Sequence, residues 1–556
     1  MALSVNPLRV SLSRGRVIRF GMTKSSTTIP ACYPRVRATL ALVALLGAAA
    51  CTPVQGQQSE NNVLRVVPGS DLAILDPIWT TATISQDHGY MIYDTLFGMD
   101  AEGRIQRQMV EKYETSPDGK TWTFTLRDGL EFHDGRPVTS EDVLASLQRW
   151  GQRDAMGQKL LSFVEKWEPL DAHTFRMRLR TPYGLVLESL GKPGANVPFI
   201  MPKHVAATSA DKQIDDYTGS GPFIFKEDEW RPGEKVVYVR NTRYTPRADP
   251  ASGTAGGKIA RVDRVEWIII TDPQTQANAL ATGEVDLLEM PAFELYRSLK
   301  RNPDIQMLEL NPFGGQNYLR FNQLEPPFDN PKTRRAAMAA FNQDMFLQVQ
   351  VGVPGLYRTC FSVYPCKMPY ATTTGMDFIA NPNPRRARRL LEESGYSGTP
   401  IVLLQPTDVA ISAKLPVVAA QLLRQAGFTV DMQPMNWQSL VSRRARKTGW
   451  HIFITNSPGV SQGDPLANFS LNAGCEKAWF GWPCDPELER LRDAFARAGD
   501  EHERKAMAEQ VQVRAMEIGT HVPLGEYVNP VAARKNVKGL LPGPQTMVLW
   551  NVAKQQ

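Results

Sequence analysis

From Thr121 onward, Trp122, Phe124 and Leu126 alternate with threonines, the period-two pattern of a strand with one buried face. Asp128-Gly129 and Asp134-Gly135 are turn dipeptides. Thr139 then precedes Glu141, Asp142 and an apolar set, Val143, Leu147 and Trp150, at helical spacing, which predicts a helix with Thr139 as its N-cap. Further strands are expected at Phe175 to Leu179, from Val236 and from Val262. A helix capped by Asp272-Pro273 should stop at Gly283, with extended structure resuming at EVDLLEM. Mixed strands and helices make this half α and β. Beyond Asn383-Pro384 the alternation is stricter. A helix ended by Gly395 leads to the apolar run Ile401 to Leu404. A helix through Leu415, Val418 and Leu422 ends at Gly427 before FTVDM, and a third, from about Trp437 to Lys447, leads into WHIFIT. Strand, helix, strand in succession implies parallel strands with helical crossovers. Ligands of such sheets bind outside the carboxyl ends of the strands. That places the first candidate pocket residues in two loops, Thr407 and Asp408 in one, Asn456, Ser457, Pro458 and Ser461 in the other.

Length changes the picture first. A chain of 556 residues exceeds one hydrophobic core and should fold as two or more lobes. The only long apolar run, Ala38 to Ala50, follows Arg35 and Arg37 and precedes a polar stretch, the three parts of a secretory signal. At roughly 20 residues needed to span a bilayer, it is too short for a membrane helix. Translation from Met22 would give it a more ordinary leader. Cleavage either frees the protein after Ala50 or exposes Cys51 for lipid attachment. Residues 1–50 also hold seven Arg or Lys and no Asp or Glu, so the remainder carries 56 basic against 57 acidic side chains, and the formal charge of +6 belongs to the leader. No basic patch remains to neutralise phosphates, which excludes nucleic acid as a partner.

Candidate chemistry is scarce. The chain contains no GxSxG, HExxH or Walker A motif. Its seven histidines (His88, His133, His173, His204, His451, His502 and His521) show no metal-ligand spacing, so no cofactor or metal is expected. Four cysteines fall as two local pairs, Cys360 with Cys366 and Cys475 with Cys484. In an oxidising compartment they read as disulfides, with a metal site as the alternative. The segment Pro246 to Lys258 reads as a surface excursion, Arg127 and Asp128 both read as turn and surface residues, and His133 as structural.

With these readings in place, YETSPDGKTWTFTLRDGLEFHDGRPVTSEDVLAS from Tyr113 closely resembles the signature of the family 5 extracellular solute-binding proteins, the dipeptide and oligopeptide receptors of bacterial ABC importers. GSGPFIFKEDEWRPGEKVVYVRN from Gly219, ALATGEVDLL from Ala279, GGQNYLRFN from Gly314 and the stretch from Asp485 are similar to the same family. The resemblance implies a two-lobed α/β periplasmic-binding-protein fold of type II, cluster-C-like. It further implies a signal at 1–50, a polar linker at 51–61, a first lobe at 62–316 with an extra subdomain at about 90–215, a second lobe at 317–522, and a return to the first at 523–556. Crossing strands should lie near Tyr318 to Phe321 and Pro523 to Val528. It implies a monomeric receptor, not an enzyme, in the periplasm or at the outer face of the cytoplasmic membrane, touching the membrane only through a lipid anchor. Such a receptor closes on a peptide or similar solute and delivers it to permease subunits with cytoplasmic ATPases. The Cys475 to Cys484 pair matches a disulfide position of the family. An aromatic near the pocket falls on Trp437, and Trp482, beside the Cys484 loop, is a further candidate. In the loop where peptide-binding members carry an aspartate for the peptide ammonium, this chain has Ser461. Asp408 is the expected substitute, and opines, glycosides, nickel chelates and haem are the alternative ligands. An exported hydrolase is the remaining alternative.

Overall fold

A computed structural model describes residues 62–498, 500–543 and 548–555. The expected signal at 1–50, Cys51 and the linker to 61 lie outside the described residues. Residues 58–556 form one compact unit. Two sheets organise it. The first runs in the order Ile305–Leu308, Val531–Arg534, Leu287–Leu288, Val63–Val67, Arg264–Ile268, Lys235–Arg240, Phe223–Phe225. Val63–Val67 is parallel to both Arg264–Ile268 and Leu287–Leu288, and the outer pairs are antiparallel. The second runs Tyr357–Arg358, His521–Tyr527, Gly315–Phe321, Ile452–Pro458, Ile401–Pro406, Val430–Met435.

The strict alternation after Asn383 builds this second sheet. Ile401–Pro406 pairs in parallel with Val430–Met435 through the helix Leu415–Gln425, and with Ile452–Pro458 after the helix Trp437–Arg444. Leu415–Gln425 buries Leu415, Val418 and Leu422, the stripe its periodicity foretold, along with Ala419 and Leu423. The Asn383 side chain accepts from Arg385 and Arg386 N, and Asp272 from Thr275 N, so both expected caps form. Asp142 closes the Thr139 cap by accepting from its backbone N–H at 2.9 Å and its hydroxyl at 2.6 Å.

The chain enters the second sheet by Gly315–Phe321 and leaves by His521–Tyr527. Every residue of both strands is buried, and the two ladder to one another in antiparallel register. The boundary expected at 523 therefore falls inside a strand, and the chain rejoins the first sheet at Val531. The ladder has one irregularity, between Gln316 and Tyr318, where Asn317 is skipped. Its side-chain amide exchanges two hydrogen bonds with that of Gln350, at 2.6 and 3.1 Å.

A separate antiparallel sheet, Val110–Thr115, Thr121–Leu126, Thr174–Leu179 and Val164–Pro169, contains the TWTFTL strand, with Phe124 and Leu126 buried. Arg127 corrects the surface expectation. It is 9% exposed, donating Nε to Gln108 O and Nη2 to Thr245 O. Lys258 corrects it as well: the segment from Pro246 turns back into the interior, where Lys258 pairs with Asp94 at 2.7 Å, both side chains wholly buried. The glycines of GSGPF have a steric reason. A Cβ on Gly219 would stand 1.7 Å from Ile92 O, at the end of the helix Thr83–Ile92. His133 fixes the same junction, accepting from Gly219 N at Nδ1 (3.1 Å) and reaching Gly221 O with Nε2 (3.2 Å). Burial pushes its pKa down to about 4, so it is neutral and structural.

Candidate functional site

The carboxyl ends of the parallel strands face one another across a cleft between the two sheets. Val63–Val67 leads into Gly69 and Ser70, and Leu287–Leu288 into Glu289 and Met290. Ile401–Pro406 leads to Val409, Ile411 and Ser412, and Val430–Met435 to Trp437. These residues, together with Thr81 to Ile84 and Asp87 around the start of the helix Thr83–Ile92, line a central cavity of about 50 Å³. Toward the crossing strands it adjoins a space of about 70 Å³ beside Gly314, Pro458 and Tyr527. On the other side, past Trp479, lies a chamber of about 400 Å³ lined by Trp79, Arg153, Lys447 and Trp482 among others. Two hydrogen bonds tie the lobes at the cleft, Trp479 Nε1 to Thr81 Oγ1 at 3.2 Å and Gln438 Nε2 to Asp71 O at 2.7 Å, and Lys414 pairs with Glu294.

Of the residues singled out in the sequence, three meet in the central cavity: Trp437, Asn456 and Ser457. Asn456 donates to Ser412 Oγ at 2.9 Å, and the Ser457 and Tyr318 hydroxyls share a 2.9 Å hydrogen bond. Pro458 lines the inner space and Trp482 the outer chamber. The other three lie outside the lining. Asp408 is committed to its own fold, since its carboxylate accepts from Trp437 N at 2.7 Å at the start of the helix Trp437–Arg444. Thr407 is exposed and bonds Met435 O. Ser461 is buried in the turn Gly459–Gln462, away from the cavity. Asp464, three residues on, accepts from Leu466 and Ala467 N, and burial raises its pKa. Cys360–Cys366 and Cys475–Cys484 are disulfides. Cys360 and Cys366 gather near Glu526, but with the thiols bonded Glu526 is held by Arg358 and Cys366 N instead.

The charged groups of the cleft were missed in the sequence. Arg444 is 2% exposed, and its guanidinium lies 5.2–5.4 Å from the ring centroids of Trp437, Phe453, Trp479 and Phe480. It makes no hydrogen bond or ion pair to any described residue through its side chain, and Nε is buried without a partner. Burial pushes its pKa down to about 10, with Tyr318 opposing. The Trp479–Phe480 strap of this cage is held from behind by Arg320, which donates to Phe480 O, Ser470 O and Thr520 O at 2.7 Å each. Across the cavity, Glu289 accepts from Gly69 N at 2.8 Å and lies against Asp87. Burial pushes the Glu289 carboxyl up to about 7, against the lowering effect of those hydrogen bonds.

One consequence is a pH dependence of stability. The folded state holds a proton on Glu289 that the unfolded chain releases near its ordinary 4.5, so folded molecules bind more protons between about 4.5 and 7, and stability contributed by this group falls as pH rises through that window. Urea denaturation of the unliganded protein at pH 5 and pH 7.5 should show that loss. Glu289→Gln should make it smaller, and an unchanged pH difference would refute the assignment.

Residues 104–479 match the family model of bacterial extracellular solute-binding proteins, family 5. The chain belongs to this family. It is 38% identical over 493 residues to a probable peptide ABC transporter periplasmic-binding protein of Sinorhizobium fredii, covering 87% of this chain and 92% of that one. It is 28% identical over 376 residues to the glutathione-binding protein of Escherichia coli, covering 67% and 69%. Among solved structures it is similar to Haemophilus influenzae OppA in complex with a peptide, with a TM-score of 0.74, 20% identity, and 90% and 100% of the two chains covered. A second is the binding protein AgaA of A. tumefaciens with agropinic acid, with a TM-score of 0.73, 24% identity, and 89% and 99% covered. These structures share the type II α/β fold.

Proposed function

We propose that this protein is the exported substrate-binding component of an ABC-type importer, capturing peptides or peptide-like solutes between its lobes and handing them to membrane permease subunits served by cytoplasmic ATPases. The observation that carries the reading is the cleft itself. Both sheets contribute its walls, and the unpaired guanidinium of Arg444 lines it beside hydrogen-bonding Asn456 and Ser457. This is a lining for a polar solute held without covalent chemistry, which supports a receptor rather than an enzyme. The name of the Sinorhizobium relative points to peptides. No helix among the described residues is long and apolar enough to cross a membrane.

A thermal-shift screen of residues 52–556 tests it. A ligand at 100 times its Kd stabilises the folded state by about 2.7 kcal/mol. Dipeptides, tripeptides and glutathione are expected to raise Tm, whereas opines, oligosaccharides, haem and nickel chelates are not. A shift with one of the latter and none with any peptide would overturn the peptide reading.

A further inference from the structure

A second seam joins the lobes outside the central cavity. The helix Ala155–Phe163 of the first lobe meets the helix Pro486–Arg497 of the second, and Lys159 reaches across to Glu489 at 3.2 Å and Asp493 at 2.5 Å. Beside it, Asn472 donates to Gln158 Oε1 at 3.2 Å and Gly184 N to Ala496 O at 3.3 Å, and the Arg497 guanidinium stands 5.1 Å from the Phe163 ring centroid. Gln158 and Asn472 also line the outer chamber, at the other end of the cleft from Gly315 and Tyr527. Contacts at that end act on the crossing strands with the longest lever.

Whether such a seam is a weld or a latch depends on what parting leaves behind. The pair of Lys192 with Asp154 lies wholly buried inside the first lobe, and separating it would strand two charges without water. The seam differs. Lys159 is 11% exposed and its acceptors 24% and 34%, so water reaches all three. When Lys159 withdraws, Glu489 still accepts from Arg492 Nη1 at 2.5 Å and Ala473 N at 2.8 Å, and Asp493 keeps Arg497 at 4.0 Å, all on the second lobe. Lys159 itself sits on a flexible stem that returns its ammonium to solvent. Burial would raise the Glu489 carboxyl, but Arg492 and Lys159 hold it down at about 2, so the pair stays ionic through the neutral range. Parting therefore costs the attraction across the seam and leaves no orphaned charge.

We propose that Lys159 with Glu489 and Asp493 forms an ionic latch between the lobes, which favours the closed cleft, with or without solute, and touches no solute itself. Its contribution is common to every solute the cleft takes. The latch sets how long a solute stays and leaves its identity to the cavity, so it stands apart from the peptide reading above.

Competitive acetylation of unliganded residues 52–556, read lysine by lysine by mass spectrometry, tests the latch without any solute. Lys159 should react several-fold more slowly than Lys166, which is 63% exposed on the same lobe, yet far faster than Lys192 or Lys258, whose pairs lie inside that lobe. Asp493→Asn should bring Lys159 close to Lys166. A Lys159 as reactive as Lys166 in the wild-type protein would show no latch, and one as protected as Lys192 would show a permanent weld. Either result overturns the proposal. Stopped-flow binding of Met-Leu, trialanine and glutathione gives the second readout. Lys159→Met should speed dissociation about 5-fold and leave association nearly unchanged, and Lys159→Arg should keep the slow rate. An unchanged dissociation rate in a folded Lys159→Met would refute the latch. Failure of every peptide to bind would overturn the peptide reading, with the acetylation rates still deciding the latch.

Discussion

Asp76→Ala is expected to lower the unfolding free energy by about 3–5 kcal/mol, the cost of leaving a buried charge without its partner. Asp76 accepts from Arg149 Nη1 at 3.1 Å and Nη2 at 2.6 Å, and both side chains are at most 1% exposed. The same carboxylate receives the backbone N–H groups of Ile78, Trp79 and Ile214. Removing it therefore orphans a guanidinium and three amides at once. Arg149 keeps only the carbonyls of Thr208 and Lys212. The effect should reach the site, because the turn that Asp76 organises runs directly into Trp79 and Thr81, which line the cleft chambers. Urea denaturation measures it, with Asp134→Ala as the control. The Asp134–Arg136 pair is exposed and should be worth no more than about 1 kcal/mol. A loss below 1 kcal/mol for Asp76→Ala would show that the pair is not the anchor its burial suggests.

Gly219→Ala should be of similar severity, about 3 kcal/mol or more, for a steric reason. The added methyl would overlap Ile92 O at 1.7 Å and press on His133 Cε1 at 2.8 Å, and the Ile92 backbone on one side and the hydrogen-bonded His133 ring on the other leave little room to yield. The strained junction is the end of the helix that carries Asp87, so weaker solute binding should accompany the fall in Tm. Gly233→Ala, where a Cβ meets nothing within 4 Å, is the comparison at an open glycine, though its φ of +78° still adds modest strain. Equal Tm values for the two variants would refute the steric argument.

What the sequence made legible was whatever depends on near neighbours. The period-two run at Trp122, the stripe on Leu415–Gln425 and the caps at Thr139, Asp272 and Asn383 all involve residues a few positions apart, and each appears where expected. Asp408 shows where such reading stops. A carboxylate after a strand serves equally as a ligand for a solute or for a backbone N–H, and only the placement of Trp437, 29 positions away, decides between them. Arg444 was invisible for the opposite reason. In RRARK it looks like one more cation on a solvated helix face, and its burial depends on Phe453 and Trp479 arriving from other segments. Lys258 likewise sits in a stretch of turn residues whose end is drawn inward by Asp94, 164 positions earlier. Glu289 left one trace, an acidic residue directly after the apolar pair Leu287-Leu288 in EVDLLEM, at the carboxyl end of a strand.

The two strands that carry the chain into and out of the second sheet also decide what kind of motion the solute can drive. Two separate linkers would let the lobes twist, slide and gape, but a hydrogen-bonded ribbon resists shear and torsion and yields mainly to bending across its width. Asn317, skipped in that ladder, still pairs with Asn456 on its other side, so the ribbon is braced where it would otherwise yield. Movement between the sheets is therefore left to residues 309–314 and 528–530, the short stretches between the paired strands. Binding energy gathered anywhere in the cleft then acts on two short crossings that start side by side at Gly315 and Tyr527.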